Sequence, residues 1–135
     1  MATRHFTPDE ANALLAEVRP VAEELVEHRR AMTEAAARRA TFVQRIAGNG
    51  GDFDPGEAKA DAELFEREAE GAARCVERLE ALGVLVKDLD TGLVDFPALY
   101  EGEEVLLCWQ AGEDEVAFWH GVDEGFAGRK PLPFT

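Results

Sequence analysis

At Gly83 the spacing of apolar residues changes, and that switch limits the fold more than any other feature of the sequence. Before it, apolar residues return every three or four positions, the period of a helix with one buried stripe. After it they fall into short β-rich runs separated by turn residues, which read as strands. Helices followed by strands, without interleaving, give an α+β fold rather than a parallel α/β one. The expected architecture is a long antiparallel helical hairpin over residues 7–82, packed on a small antiparallel β-sheet of three to four strands within a β-meander and tail over residues 83–135. Residues 1–135 read as a single domain, long enough to bury a core without disulfide or metal staples.

Two capping signatures open the helices. Thr7-Pro8-Asp9-Glu10 places a hydroxyl at the cap, proline at the first helical position and Glu three residues after the cap. Helical character runs to about Ala47, where Gly48-Asn49-Gly50-Gly51 stops it. Leu14, Val18, Val21, Leu25, His28, Met32, Ala35, Arg39, Phe42 and Ile46 form a heptad-like seam. Leu15, Ala22, Val26 and Val43 widen that stripe beyond what one partner helix covers, so a homodimer is expected. Pro20 should kink the helix near residues 17–19 or divide it. Asp54-Pro55-Gly56-Glu57 opens the second helix, whose seam is Ala58, Ala62, Phe65, Ala69, Ala72, Val76 and Leu79, with Gly83 just past its end.

The strands read as residues 84–89, 93–96, 105–110 and 115–120. Asp90-Thr91-Gly92 fits a three-residue hairpin loop, and Pro97 ends the strand that follows. In that register Lys87 faces Asp95 as an ion pair. Pairing Gln110 with Glu115 puts Val105, Leu107, Trp109, Val116, Phe118 and His120 on one face. Leu106, Cys108, Ala117 and Trp119 then share the other, with the two tryptophans on opposite faces. Both faces are largely apolar, so one needs the helices and the other needs the tail, residues 121–135, or a second subunit.

With 28 acidic against 14 basic residues the formal charge is −14, which argues against binding nucleic acid or an anionic membrane surface. No apolar run approaches the roughly 20 residues of a membrane span. The chain leads from Met1 straight into a helix start, without the pattern of a signal peptide. Cys75 and Cys108 lie in different elements with no CxxC pair, so each reads as a small buried hydrophobe in a reduced, cytoplasmic protein.

His120 ends an apolar strand beside a turn carrying Glu113, Asp114 and Glu115. A histidine there is a candidate general base or metal ligand, or else a core-edge histidine bonded to backbone. His28 shares a helix face with Glu24 one turn earlier, but the residue three before it is Leu25, so the Glu-x-x-His motif of di-iron bundles is absent. His5 reads as part of a solvated terminus. Asp90-Thr91-Gly92 matches the tripeptide of aspartic proteases but sits where a hairpin turn is needed. Asp88-x-Asp90-x-Gly92 lacks the closing Glu of a calcium loop. Arg129-Lys130 is a basic island in an acidic chain, suited to an anionic ligand or to the protein's own carboxylates. No P-loop, dinucleotide glycine pattern, nucleophile elbow or zinc-protease helix occurs.

Several of these runs carry a resemblance. Gly83-Val-Leu-Val-Lys-Asp-Leu-Asp-Thr-Gly-Leu-Val-Asp-Phe-Pro97, Leu107-Cys-Trp109, Gly112-Glu113, Phe118-Trp-His120 and Gly125-Phe-Ala-Gly-Arg129 resemble a prokaryotic, bacterial-type family of uncharacterised proteins, domain of unknown function 2203. The opening Phe6-Thr-Pro-Asp-Glu-Ala-Asn12 looks like that family's start. A basic residue often follows the Cys-Trp pair in the family, where this chain has Gln110. The family carries no assigned activity, so the resemblance supplies no mechanism and leaves any cofactor open. It does raise the matching polar residues Glu10, Lys87, Asp88, Asp95, Cys108, Glu113, His120 and Arg129. The functional expectation is a non-enzymatic, self-associating module that binds a protein partner. The alternative is a small-molecule or metal-binding protein, with an enzyme among its forms. Its ligand-binding set would be His120, Glu113, Asp95, Arg129 and Cys108, with His120 as the leading metal ligand.

Overall fold

The structure, a computed structural model, describes residues 3–49 and 54–134. Helix α1 spans Pro8–Asn49 and helix α2 spans Pro55–Ala81. The capping box forms as expected: Thr7 N donates to Glu10 Oε1 at 2.9 Å, and Glu10 N donates to Thr7 Oγ1 at 3.1 Å. The expected stop at Gly48 comes slightly later, and Gly50 and Gly51 lie outside the described residues. Helix α1 is not divided at Pro20. Pro20 and Ala16, whose carbonyl loses its helical partner, are both exposed, so water can replace the missing bond. Asp54 caps α2 by accepting from Gly56 N at 2.9 Å. At the far end Gly83 N reaches Glu80 O and Val84 N reaches Leu79 O, closing the helix.

The seam on α1 is buried at Val18, Val21, Leu25, Met32 and Ala35 but not beyond. Leu15 and Ala22, read from the sequence as surplus width, are buried in the same cluster as the sheet residues Val94, Phe96, Leu107 and Trp109. On α2 the buried positions are Gly71, Ala72, Cys75 and Leu79, whereas Phe65 is exposed.

The sheet has five strands rather than three or four, in the antiparallel order β1-β2-β3-β4-β5. They are β1 Leu85–Asp88, β2 Leu93–Tyr100, β3 Glu103–Gln110, β4 Phe118–Gly121 and β5 Lys130–Pro131, with a 3-10 turn at Phe126–Gly128 before the last. Pro97 does not end β2; it lies opposite Leu106 inside the strand. Its carbonyl accepts from Phe6 N at 2.7 Å, on the side away from β3. The nitrogen of the same residue points that way too, so the ladder to β3 loses no bond.

Two expected registers are corrected. Asp95 faces Leu85 instead of Lys87, because a bulge lies between Val86 and Asp88 and the turn takes residues 89–92. Gly92 sets that turn at φ +70°, where an added Cβ would lie 3.0 Å from Val26 Cγ2 of α1. In the β3–β4 pair, Leu106 faces His120 and Cys108 faces Phe118, a slip of one residue from the expected alignment. The slip arises because α1 holds residues 113–116 off the sheet. Arg19 donates to Glu113 O at 2.9 Å and Asp114 O at 2.7 Å. Asn12 accepts from Val116 N at 2.7 Å and donates to Val116 O at 3.2 Å. A slip of one residue turns every side chain to the other face. Trp119 therefore joins Trp109 on the helix-facing side, and His120 moves to the side of Cys108 and Asp95.

Candidate functional site

The outer face of the sheet, away from the helices, carries a buried polar row. Asp95 from β2 faces Cys108 from β3, and His120 comes from β4 next along the sheet. Asp95 is 1% exposed, His120 3% and Cys108 0%. One ligand atom from each of the three lies within 4.8 Å of the others. Sequence reasoning placed Asp95 in the same ligand-binding set as His120 but read it as the ion-pair partner of Lys87, and expected carboxylates for His120 from the turn at Glu113 to Glu115 and the segment after Gly121. The partner in the structure is Asp95, from a strand two places away, and the corrected register gives the contact.

The geometry at His120 sets its protons. Nδ1 lies 2.8 Å from Gly121 O and Nε2 lies 3.1 Å from Asp95 Oδ1. A carbonyl oxygen only accepts, so Nδ1 carries the hydrogen. The Nε2–Asp95 contact then needs a further proton, held by one partner and accepted by the other. Without that proton, Nε2 presents a lone pair to the space shared with Asp95 and Cys108.

Glu113 and Arg129 stand beside this row. Arg129 Nη2 donates to both Glu113 carboxylate oxygens at 2.8 Å, and Glu113 Oε1 also accepts from Gln110 N at 2.7 Å. The guanidinium stacks over Phe118 at 4.0 Å and Phe126 at 4.5 Å, a sandwich that periodicity could not show. The only hint was the placement of Phe126 three residues before Arg129. Arg129 thus pairs with the protein's own carboxylate, yet its Nε is buried without a hydrogen-bond partner. Such a donor loses free energy unless an acceptor reaches it.

Cys108 registers the whole group. Burial pushes its thiol up to about 12, the Asp95 charge adds to this, Arg129 opposes it, and Glu113 raises it further. The sulfur is therefore a thiol, not a thiolate nucleophile. Glu124 closes the adjoining turn, accepting from Gly121 N and from Lys130 Nζ, both at 2.8 Å. Those bonds, Lys130 first, hold its carboxyl below the usual range. Of the expected set, His120, Asp95, Cys108, Glu113 and Arg129 are gathered in one neighbourhood. Lys87 is exposed at the β1 bulge, and Asp88 caps its own turn by accepting from Asp90 N. Glu10 serves the helix cap, and His5 bonds Glu104 at 3.0 Å.

Fold and site together define a class: an α+β protein in which a helical hairpin covers one face of an antiparallel sheet and a His–Asp–Cys row is buried on the other. Residues 4–132 match the model of the family described as uncharacterized conserved protein (DUF2203), and the chain belongs to that family. No curated protein and no solved structure matches it. Among the described residues no helix is long and apolar enough to cross a membrane.

Proposed function

We propose that this protein binds a divalent transition metal of the zinc class through Asp95, Cys108 and His120. The observation that carries the reading is the orientation of His120: Nδ1 faces Gly121 O, and Nε2 is the nitrogen aimed at a carboxylate and a thiol. Metal-bound histidines are oriented in this way by an acceptor on their other nitrogen. Oxygen, nitrogen and sulfur donors suit zinc, and donors on one tetrahedral zinc sit roughly 3.5 Å apart. The observed 4.8 Å envelope needs only small side-chain closure to reach that. The metal would replace the proton between Nε2 and Asp95 and the thiol proton of Cys108. The unpartnered Arg129 Nε, close enough to act on Cys108, suits a small anion as a further ligand. Cys75 and Cys108 are both free, and a reduced, cytoplasmic setting, which belongs to this proposal, would keep them so.

Metal analysis of tag-free protein, followed by melting with added zinc, iron or manganese, tests this. Wild type should gain several degrees, and His120→Ala should gain clearly less, the difference being the share of the sheet row. No metal-dependent shift in either protein retires the reading.

A second reading rests on the distal arm of the hairpin. There Val43 is 55% exposed, in a groove of about 630 Å³ whose lining mixes Phe42, Val43, Ala58 and Ala62 with charged side chains such as Arg45 and Asp61; Ile46 and Phe65 are exposed elsewhere on the hairpin. That surface suits self-association or a protein partner, without catalysis. The original motive is narrower than the sequence suggested, because Leu15 and Ala22 are covered by the chain's own sheet. Sedimentation at high micromolar concentration should show a dimer; a monomer there removes the homodimer.

A further inference from the structure

The helical hairpin carries a second cluster of the same donor types, and the sheet site does not account for it. Glu24 and His28 stand one turn apart on α1, and Glu68 and Cys75 stand two turns apart on α2. The spacing of seven between Glu68 and Cys75 was the missed sequence signal, since it puts both on the face that meets His28. Cys75 Sγ donates to Glu24 Oε2 at 2.9 Å, and the same oxygen lies 3.6 Å from His28 Nε2. The other ring nitrogen, Nδ1, meets Glu68 Oε2 at 2.5 Å. Ligand atoms of Glu24, His28 and Cys75 all lie within 4.8 Å of one another.

Gly71 explains how the ring reaches this position. A Cβ at Gly71 would lie 2.5 Å from His28 Cε1 and 2.6 Å from Nε2. The imidazole therefore sits in a notch in α2 that any other residue would fill. An apolar seam gains nothing from such a notch, whereas a histidine held there keeps one orientation. Glu68 accepts the Nδ1 hydrogen, which leaves Nε2 with its lone pair towards Glu24 and Cys75. Carboxylate, histidine, then metal is a recurring order in metal sites.

We infer that Glu24, His28 and Cys75 form a second site for a zinc-class divalent cation, with Glu68 as the positioning residue that orients His28. This site differs from the sheet row in access. The Glu24 side chain is 51% exposed and that of His28 24%, so solvent can supply the fourth ligand and the ion can exchange. Burial, and then the bond to Glu24, push the Cys75 thiol up to about 12, so the ion must displace its proton to water as it binds. Arg78 Nη1, 3.7 Å from Glu24 Oε2, is itself well exposed and can turn to solvent when the carboxylate takes the ion.

The inference does not depend on the sheet site, and the test separates them. Co²⁺ is titrated into Cys108→Ser protein while the near-ultraviolet thiolate-to-cobalt absorption is followed, with far-ultraviolet circular dichroism as a check on folding. The expected result is a saturable band in Cys108→Ser, absent when Cys75→Ser is added. Because Cys75 is buried, His28→Gln and Glu24→Gln serve as gentler variants and should each weaken binding at least tenfold. Glu68→Gln should weaken it by roughly 10–100-fold while leaving the band's shape intact. A band in wild type that vanishes in Cys108→Ser overturns this inference and leaves the sheet site standing. So does a band in Cys108→Ser that ignores His28→Gln and Glu24→Gln, since a lone sulfur would then be the ligand.

Discussion

His120 and Asp95 satisfy each other in a place that water does not reach. Removing either leaves the other as an unpaired buried polar group. His120→Ala is therefore expected to destabilise the fold by about 1–3 kcal/mol in a denaturant titration. A change near zero would mean that Asp95 finds another donor, and Arg129 Nε is the candidate. Glu24 gives a pH-dependent counterpart on the hairpin. The Cys75 thiol first, then His28 and Arg78, hold its carboxyl below the ordinary 4.5. A lowered folded value means the stabilisation is complete above the unfolded value of 4.5 and is lost as pH falls through the folded one. Melting temperatures of wild type should thus fall more steeply below pH 4.5 than those of Glu24→Gln. Parallel curves would show that the Glu24 bonds do not contribute.

The helices show where a heptad seam stops being a core. Arg39 occupies a seam position but is exposed, because the buried stretch of α1 ends at Ala35. Arg39→Leu should leave the melting temperature unchanged or raise it slightly, and a clear drop would show that its charge serves the α1–α2 contact. The capping box at Thr7, the Asp54 cap and the left-handed Gly92 were all legible, since each depends on residues within four positions of one another. The fifth strand was not: Lys130–Pro131 is two residues long, and nothing in so short a span has a period. The continuation of β2 through Pro97 was hidden because proline reads as a break unless the open side of the strand is known. The residues of the sheet site were legible as polar exceptions in apolar strands. Their grouping was named too, but not the contact that makes it, because the face of His120 depends on a register that no local pattern fixes.

That register is set from outside the sheet. A hairpin ordinarily takes its alignment from its own turn, yet here Asn12 and Arg19 on α1 grip residues 113–116 through four hydrogen bonds. Asn12→Ala would leave both backbone groups of Val116 unpaired, at about 1–3 kcal/mol. If the proposed sheet site binds a metal, the loss should also loosen it there while sparing the hairpin cluster, which calorimetric titration of the variant can resolve; equal loss at both would point to general unfolding. The same grip orders events in time. Before residues 113–116 dock on α1, the strands already hold the donors of the sheet row but no fixed alignment among them. Asp95, Cys108 and His120 thus come together only in molecules whose two layers have already found each other.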